Sequence, residues 1–176
     1  MNKMMIALWL AVATWLPVCV ASAQSGEPWT AVATTGAVDE SDLSIVSMSS
    51  STVSFAASSP AAENIVVRYN VTATAGIGGQ SDNFSLRFRD NGAQARVIAV
   101  LRQVNMNTGA ATVLSTIDSD SYPPSASFRT VDGGFGSCGF EYDFYENAYF
   151  IEVTLSRTSA AGLPALQLLQ LYGALC

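Results

Sequence analysis

Residues 83–104 read Asn-Phe-Ser-Leu-Arg-Phe-Arg-Asp-Asn-Gly-Ala-Gln-Ala-Arg-Val-Ile-Ala-Val-Leu-Arg-Gln-Val. Phe84, Leu86 and Phe88 alternate with Ser85, Arg87 and Arg89, which places apolar side chains on one face of an extended chain and polar ones on the other. Asn91-Gly92 supplies the two positive-φ positions of a type I′ turn, so the spacing predicts a hairpin into a strand over residues 96–104. Residues 97–101 are apolar at every position, which predicts a central strand covered on both faces.

The same texture extends in both directions. Asn107-Thr108-Gly109 suits a longer hairpin turn with glycine in the left-handed position, leading into a strand over 112–117, so three consecutive antiparallel strands are expected. Upstream, Ile65, Val67, Tyr69 and Val71 alternate with Arg68, Asn70 and Thr72. Downstream, Pro123-Pro124 stops a strand and opens a loop. The last three strands are read over 140–144, 149–156 and 166–172. In the middle one Tyr149, Ile151, Val153 and Leu155 point inward and Glu152, Thr154 and Ser156 outward. The Leu/Gln-rich final segment has helix-forming composition too, but it is short and opens after Gly162 and Pro164, which favours a strand. The Ser/Thr/Ala-rich stretch 24–62 holds short edge-strand candidates at 29–34, 43–48 and 52–56; a partly flexible arm is the alternative.

About ten short strands with hairpin turns define an all-β fold, an antiparallel β-sandwich. A jelly-roll-like arrangement is preferred to an immunoglobulin-like one, because the cysteine spacing and Trp29 do not match a Cys-Trp-Cys core. Residues 24–62 and the sandwich core 63–176 form one domain.

Residues 1–23 read as a signal peptide: Lys3, an apolar run from Met4 to Val20, then Ala21-Ser22-Ala23, with cleavage expected after Ala23. Pro17 and the lack of a stop-transfer cluster argue against a membrane span. A lipoprotein signal would use Cys19, but Val18 stands where such signals carry a small residue. The expected location is therefore extracellular or periplasmic. Removal leaves 153 of 176 residues, with seven Arg as the sole cationic side chains against 14 carboxylates and a net charge of −7. Such a surface repels phosphate backbones, so no nucleic-acid partner is expected. In an exported protein Cys138 and Cys176 read as one disulfide, whose loop of about 39 residues stabilises the fold by roughly 4 kcal/mol. A reactive thiol pair is the weaker reading, for want of CxxC spacing and of any His or Lys to lower a thiol pKa.

The chain contains no His. That excludes Ser-His-Asp and Cys-His catalysis, His-ligated zinc and an imidazole switch. The densest chemistry lies in 132–150, where Gly133, Gly134, Gly136 and Gly139 surround Cys138, and Glu141, Asp143 and Glu146 are interleaved with aromatics. Seven of the 15 aromatics outside the signal fall here: Phe135, Phe140, Tyr142, Phe144, Tyr145, Tyr149 and Phe150. One reading is a carbohydrate site in which Tyr142 and Tyr145 stack on sugar rings while Glu141, Asp143 and Glu146 accept hydroxyl bonds. The structural reading, that alternate aromatics fill the interior, is favoured. A glycosidase needs two carboxyls about 5 Å apart for retention or up to about 9.5 Å for inversion, and sequence spacing among Glu141, Asp143, Glu146 and Glu152 does not supply that separation. Asp118 and Asp120, or the Glu141 group, offer oxygen ligands for Ca²⁺, without the Gly and Glu of an EF-hand loop; no other cofactor is expected.

The runs Arg87-Phe88-Arg89-Asp90-Asn91-Gly92, Asn107-Thr108-Gly109 and Asn147-Ala148-Tyr149-Phe150-Ile151-Glu152-Val153-Thr154-Leu155 resemble small exported bacterial β-sandwich proteins of unassigned function. The resemblance implies the fold and export and carries no functional residue. The sequence thus reads as a non-enzymatic exported module for binding or structural assembly, with a glycan or an envelope or surface component as partner. The alternative is a lectin-like carbohydrate-binding domain, with or without Ca²⁺. Oligomeric state is left open.

Overall fold

The computed structural model describes residues 28–72, 80–81, 83–135 and 140–173. The expected signal peptide, its cleavage site and both cysteines of the expected disulfide lie outside them. In chain order the strands are β1 (Trp29–Val32), β2 (Ala37–Val38), β3 (Val46–Ser49), β4 (Thr52–Phe55), β5 (Glu63–Val71), β6 (Gln80–Ser81), β7 (Asn83–Asp90), β8 (Ala95–Asn105), β9 (Ala111–Asp118), β10 (Ser125–Gly134), β11 (Phe140–Glu141), β12 (Asn147–Arg157) and β13 (Ala165–Tyr172).

They form two antiparallel sheets and a ribbon. Sheet I runs β10-β7-β13-β4-β3, with β1 sharing the edge of β13 that β4 occupies further along. Sheet II runs β2-β5-β12-β8-β9, and β6 pairs β11. The chain repeatedly crosses between the sheets, from β4 to β5, β7 to β8, β9 to β10 and β12 to β13, as a jelly-roll-like wrap requires. The inward rows anticipated from the alternation, Ile65, Val67 and Tyr69 of β5, Phe84, Leu86 and Phe88 of β7, and Tyr149, Ile151, Val153 and Leu155 of β12, meet Val97, Ala99 and Leu101 of β8 in one core. Burying each such side chain contributes about 1.5–3 kcal/mol.

The Asn91-Gly92 hairpin is not formed. Gly92 has φ +131° but Asn91 is not in the left-handed region, and β7 and β8 belong to different sheets. Their apolar rows face each other across the sandwich. Asn91 instead ties the crossover to the one between β12 and β13, donating to the Ala161 carbonyl at 2.8 Å and accepting the Leu163 amide at 2.6 Å. Asp90 is buried here; it accepts the Gly92 amide and the Ser119 hydroxyl, so one carboxylate joins the end of β7 to the turn after β9. The second turn forms as expected: Gly109 has φ +69°, and β8 pairs with β9.

Three further expectations change. β8 is an interior strand of sheet II, but Ile98 and Val100 are only half-buried, because nothing among the described residues layers over that outer face. The loop expected after Pro123-Pro124 is mostly β10. Of the strand expected over 140–144 only Phe140–Glu141 pairs, and the chain then turns. The final segment is a strand, and residues 28–62 belong to the sandwich, with Trp29 and Val53 buried in its core.

Candidate functional site

The aromatic segment divides sharply. Tyr142 and Tyr149 are buried, and Phe140, Tyr142 and Phe144 pack around Tyr149 at ring-centroid distances of 5.9, 4.8 and 5.1 Å, all edge-on. Such pairs contribute about 0.5–1.5 kcal/mol each beyond burial. Tyr142 is therefore core, whereas Tyr145 is 96% exposed. Asp143 organises the turn between them. Its Oδ1 accepts the amides of Tyr145 (2.9 Å) and Glu146 (3.3 Å), its amide donates to the Tyr149 hydroxyl (2.9 Å), and its carbonyl accepts from Asn147. Burial pushes the Tyr149 phenol up from its usual range. Glu141 lies exposed on the β6–β11 ribbon, and Glu146 is exposed at the turn, where its carbonyl accepts the Met106 amide at 2.9 Å. The segment is thus an aromatic plug carrying one displayed tyrosine.

Asp118 and Asp120 meet a guanidinium. Arg96 donates to Asp118 through Nε and Nη2 and pairs with Asp120 at 3.0 Å, and Asp118 Oδ1 also accepts the Asp120 amide at 3.1 Å. The hydrogen bond from Arg96 is the main reason that the Asp118 carboxyl lies below its ordinary range. Among the described residues no group of three or more His, Cys, Asp and Glu side chains is placed to hold a metal ion.

A second constellation appears on the outer face of sheet II. Antiparallel register sets Asn70, Phe150, Arg102 and Val113 in one row across four strands, and Arg68, Glu152, Val100 and Thr116 in the next. Glu152 lies between two guanidiniums. Arg68 Nε donates to its Oε2 at 2.9 Å, and Arg102 Nη2 stands 3.6 Å from its Oε1. Arg68 also reaches Asp39 at 3.5 Å, and its hydrogen bond to Glu152 raises the Arg68 pKa further. The side chains stay accessible, at 48% for Arg68, 32% for Arg102 and 24% for Glu152. Phe150 is half-buried beside them, outside the core cluster. Alternation marks Arg68, Asn70 and Glu152 as outward, but only register brings them together.

No protein-family model and no curated protein matches the chain. Among solved structures it is similar to a xylan-binding module, CBM15 (TM-score 0.47, 11% identity, 85% of this chain and 97% of that one). It is also similar to a β-1,3-glucan-binding CBM6 from Bacillus halodurans (0.45, 11%, 85% and 97%). A family two carbohydrate esterase from Cellvibrio japonicus gives 0.41 at 10% identity over 84% of this chain, which spans only 34% of the esterase.

Proposed function

We propose that this is a non-catalytic, exported carbohydrate-binding β-sandwich whose sugar platform is the outer face of sheet II. The observation that carries this reading is the juxtaposition of Phe150 with the Arg68–Glu152–Arg102 network and Asn70. A pyranose presents an apolar C–H face and a rim of hydroxyls that both donate and accept. An aromatic ring beside guanidinium, carboxylate and amide groups offers both kinds of contact. The ion pairs hold the two guanidiniums and the Glu152 carboxylate in place before a ligand arrives, which lowers the ordering cost of binding. Because Glu152 and Asp39 offset the two arginines, the platform suits a neutral polysaccharide. No three acidic side chains are placed to hold a metal ion among the described residues, and binding is expected to be equal in Ca²⁺ and in EDTA.

Affinity electrophoresis of the exported protein through gels containing β-glucan, xylan or galactan tests the reading. Retardation by at least one neutral polymer is expected, weakened about ten-fold (1.4 kcal/mol) in Phe150→Ala and Arg102→Ala. Unretarded migration in every neutral gel would overturn it.

A further inference from the structure

The outer face of sheet I holds arginines of a different kind. Arg87 and Arg89 occupy successive outward positions on β7, about 7 Å apart at the usual rise of a strand. Neither meets a carboxylate among the described residues. Arg87 Nε donates to Gln167 Oε1 at 2.6 Å and its Nη1 to Thr130 Oγ1 at 3.3 Å; Gln167 Nε2 in turn donates to Ser51 Oγ at 3.4 Å. Arg89 Nε donates to the Leu163 carbonyl at 3.0 Å, and its guanidinium lies 5.6 Å from the centre of the Phe128 ring. These contacts fix the orientation of each fork through neutral partners and leave neither guanidinium in an ion pair among the described residues, in a chain with 14 carboxylates and a net charge of −6.

We infer that this face binds the carboxylate groups of an anionic, uronate-type polysaccharide, separately from the neutral-sugar platform on sheet II. A guanidinium whose Nε is already engaged keeps its remaining N–H groups for a planar carboxylate. Two such forks in line along β7, flanked by the Thr130 and Ser51 hydroxyls and the Gln167 amide, match a polymer that repeats carboxylates among hydroxyls. An isolated small anion would use only one of them.

The test is affinity electrophoresis of the exported protein in polygalacturonate gels at low and high salt, with circular dichroism to confirm that each variant is folded. The expected result is retardation at low salt that salt abolishes. Binding should be about ten-fold weaker in Arg87→Gln and in Arg89→Gln, the size of a lost charge-assisted contact. Arg96→Gln, which removes the same charge from the other sheet, should bind as the parent does. Absence of retardation at low salt, equal loss in Arg96→Gln, or equally strong binding to double-stranded DNA would each overturn the inference. Failure of the neutral-polymer experiment would leave it standing.

Discussion

On the outer face of sheet II, Arg68, Arg96 and Arg102 each end on a carboxylate brought from another part of the chain. On the outer face of sheet I, Arg87 and Arg89 end on an amide, a hydroxyl, a backbone carbonyl and an aromatic ring. Both sets stand at outward positions of alternating strands, so their local sequences look alike. What separates them is the strand that lies alongside. β12 brings Glu152 between β5 and β8, whereas β13 brings Gln167 to β7. One face is therefore ion-paired and pre-ordered, and the other is pre-ordered with Arg87 and Arg89 outside any ion pair among the described residues.

The neutral mode of pairing is also used inside the molecule, where it should matter most. Arg157 is buried at the end of β12. It donates from Nε and Nη2 to the Pro60 carbonyl, at 3.1 and 2.6 Å, and from Nη2 to Ser59 at 2.9 Å, and lies 4.4 Å from the centre of the Phe55 ring. It pins the connection between β4 and β5. Arg157→Leu is expected to destabilise the fold by about 2–4 kcal/mol in urea unfolding, because two carbonyls and one ring lose a charged partner at once. A loss below about 1 kcal/mol would show that water replaces the guanidinium and that neutral pairing is no anchor.

The contrast between the two faces is sharpened by double-mutant cycles. Arg68 with Glu152 should couple by about 0.5–1 kcal/mol at low ionic strength, and the coupling should fall as salt is added. Arg87 with Gln167 should couple by a similar amount, about 0.5–1.5 kcal/mol, with little response to salt, since one partner is uncharged. The same salt slope for both pairs would erase the distinction drawn here.

Period-2 alternation was enough to locate β5, β7 and β12 and their buried faces, because one residue in two carries the signal, whereas β8, apolar at every position from 97 to 101, read as a strand without showing which of its faces is covered. For the Leu/Gln segment, where propensity alone points both ways, shortness and the preceding Gly162 and Pro164 favoured the strand. Alternation was not enough for β10. A register irregularity between Ser125 and Arg129 breaks the alternation, only Val131 among its large apolar residues is buried, and Gly133 sits where a Cβ would come within 3.0 Å of Ile117. A strand end packed that closely reads, in sequence, as the start of a glycine-rich loop. Asn91-Gly92 misled for a different reason: turn propensity is local, while the choice between a hairpin and a crossover depends on where the apolar rows find partners. The same limit applies to the platform. Glu152 and Phe150 were visible as single residues, but Arg68 lies 84 positions from Glu152, and nothing local joins them. In the aromatic segment, composition drew attention to Tyr142 and Tyr145 together, and burial separates them.

The smallest effect expected concerns the Arg96 pair on sheet II. The Asp118 carboxyl is held below its ordinary value of 3.8, first by its hydrogen bond from Arg96. A carboxyl with a depressed pKa in the folded state stabilises the fold above the unfolded-state value, and that contribution is lost as pH falls through the folded-state one. The wild type should therefore shed a small increment of stability below about pH 3.8 that Asp118→Asn, lacking the titration, does not shed. Both side chains are partly exposed, so the increment is at most that of a surface ion pair, about 0.2–1 kcal/mol, and should shrink in salt. Urea midpoints of the two proteins at pH 6 and pH 3 measure it. On sheet I no comparable step is expected for Arg87→Gln, because the groups shown to pair with Arg87, Gln167 and Thr130, do not titrate. A matching acid-dependent loss there would mean that a carboxylate reaches Arg87 in solution and that the two faces are electrostatically alike.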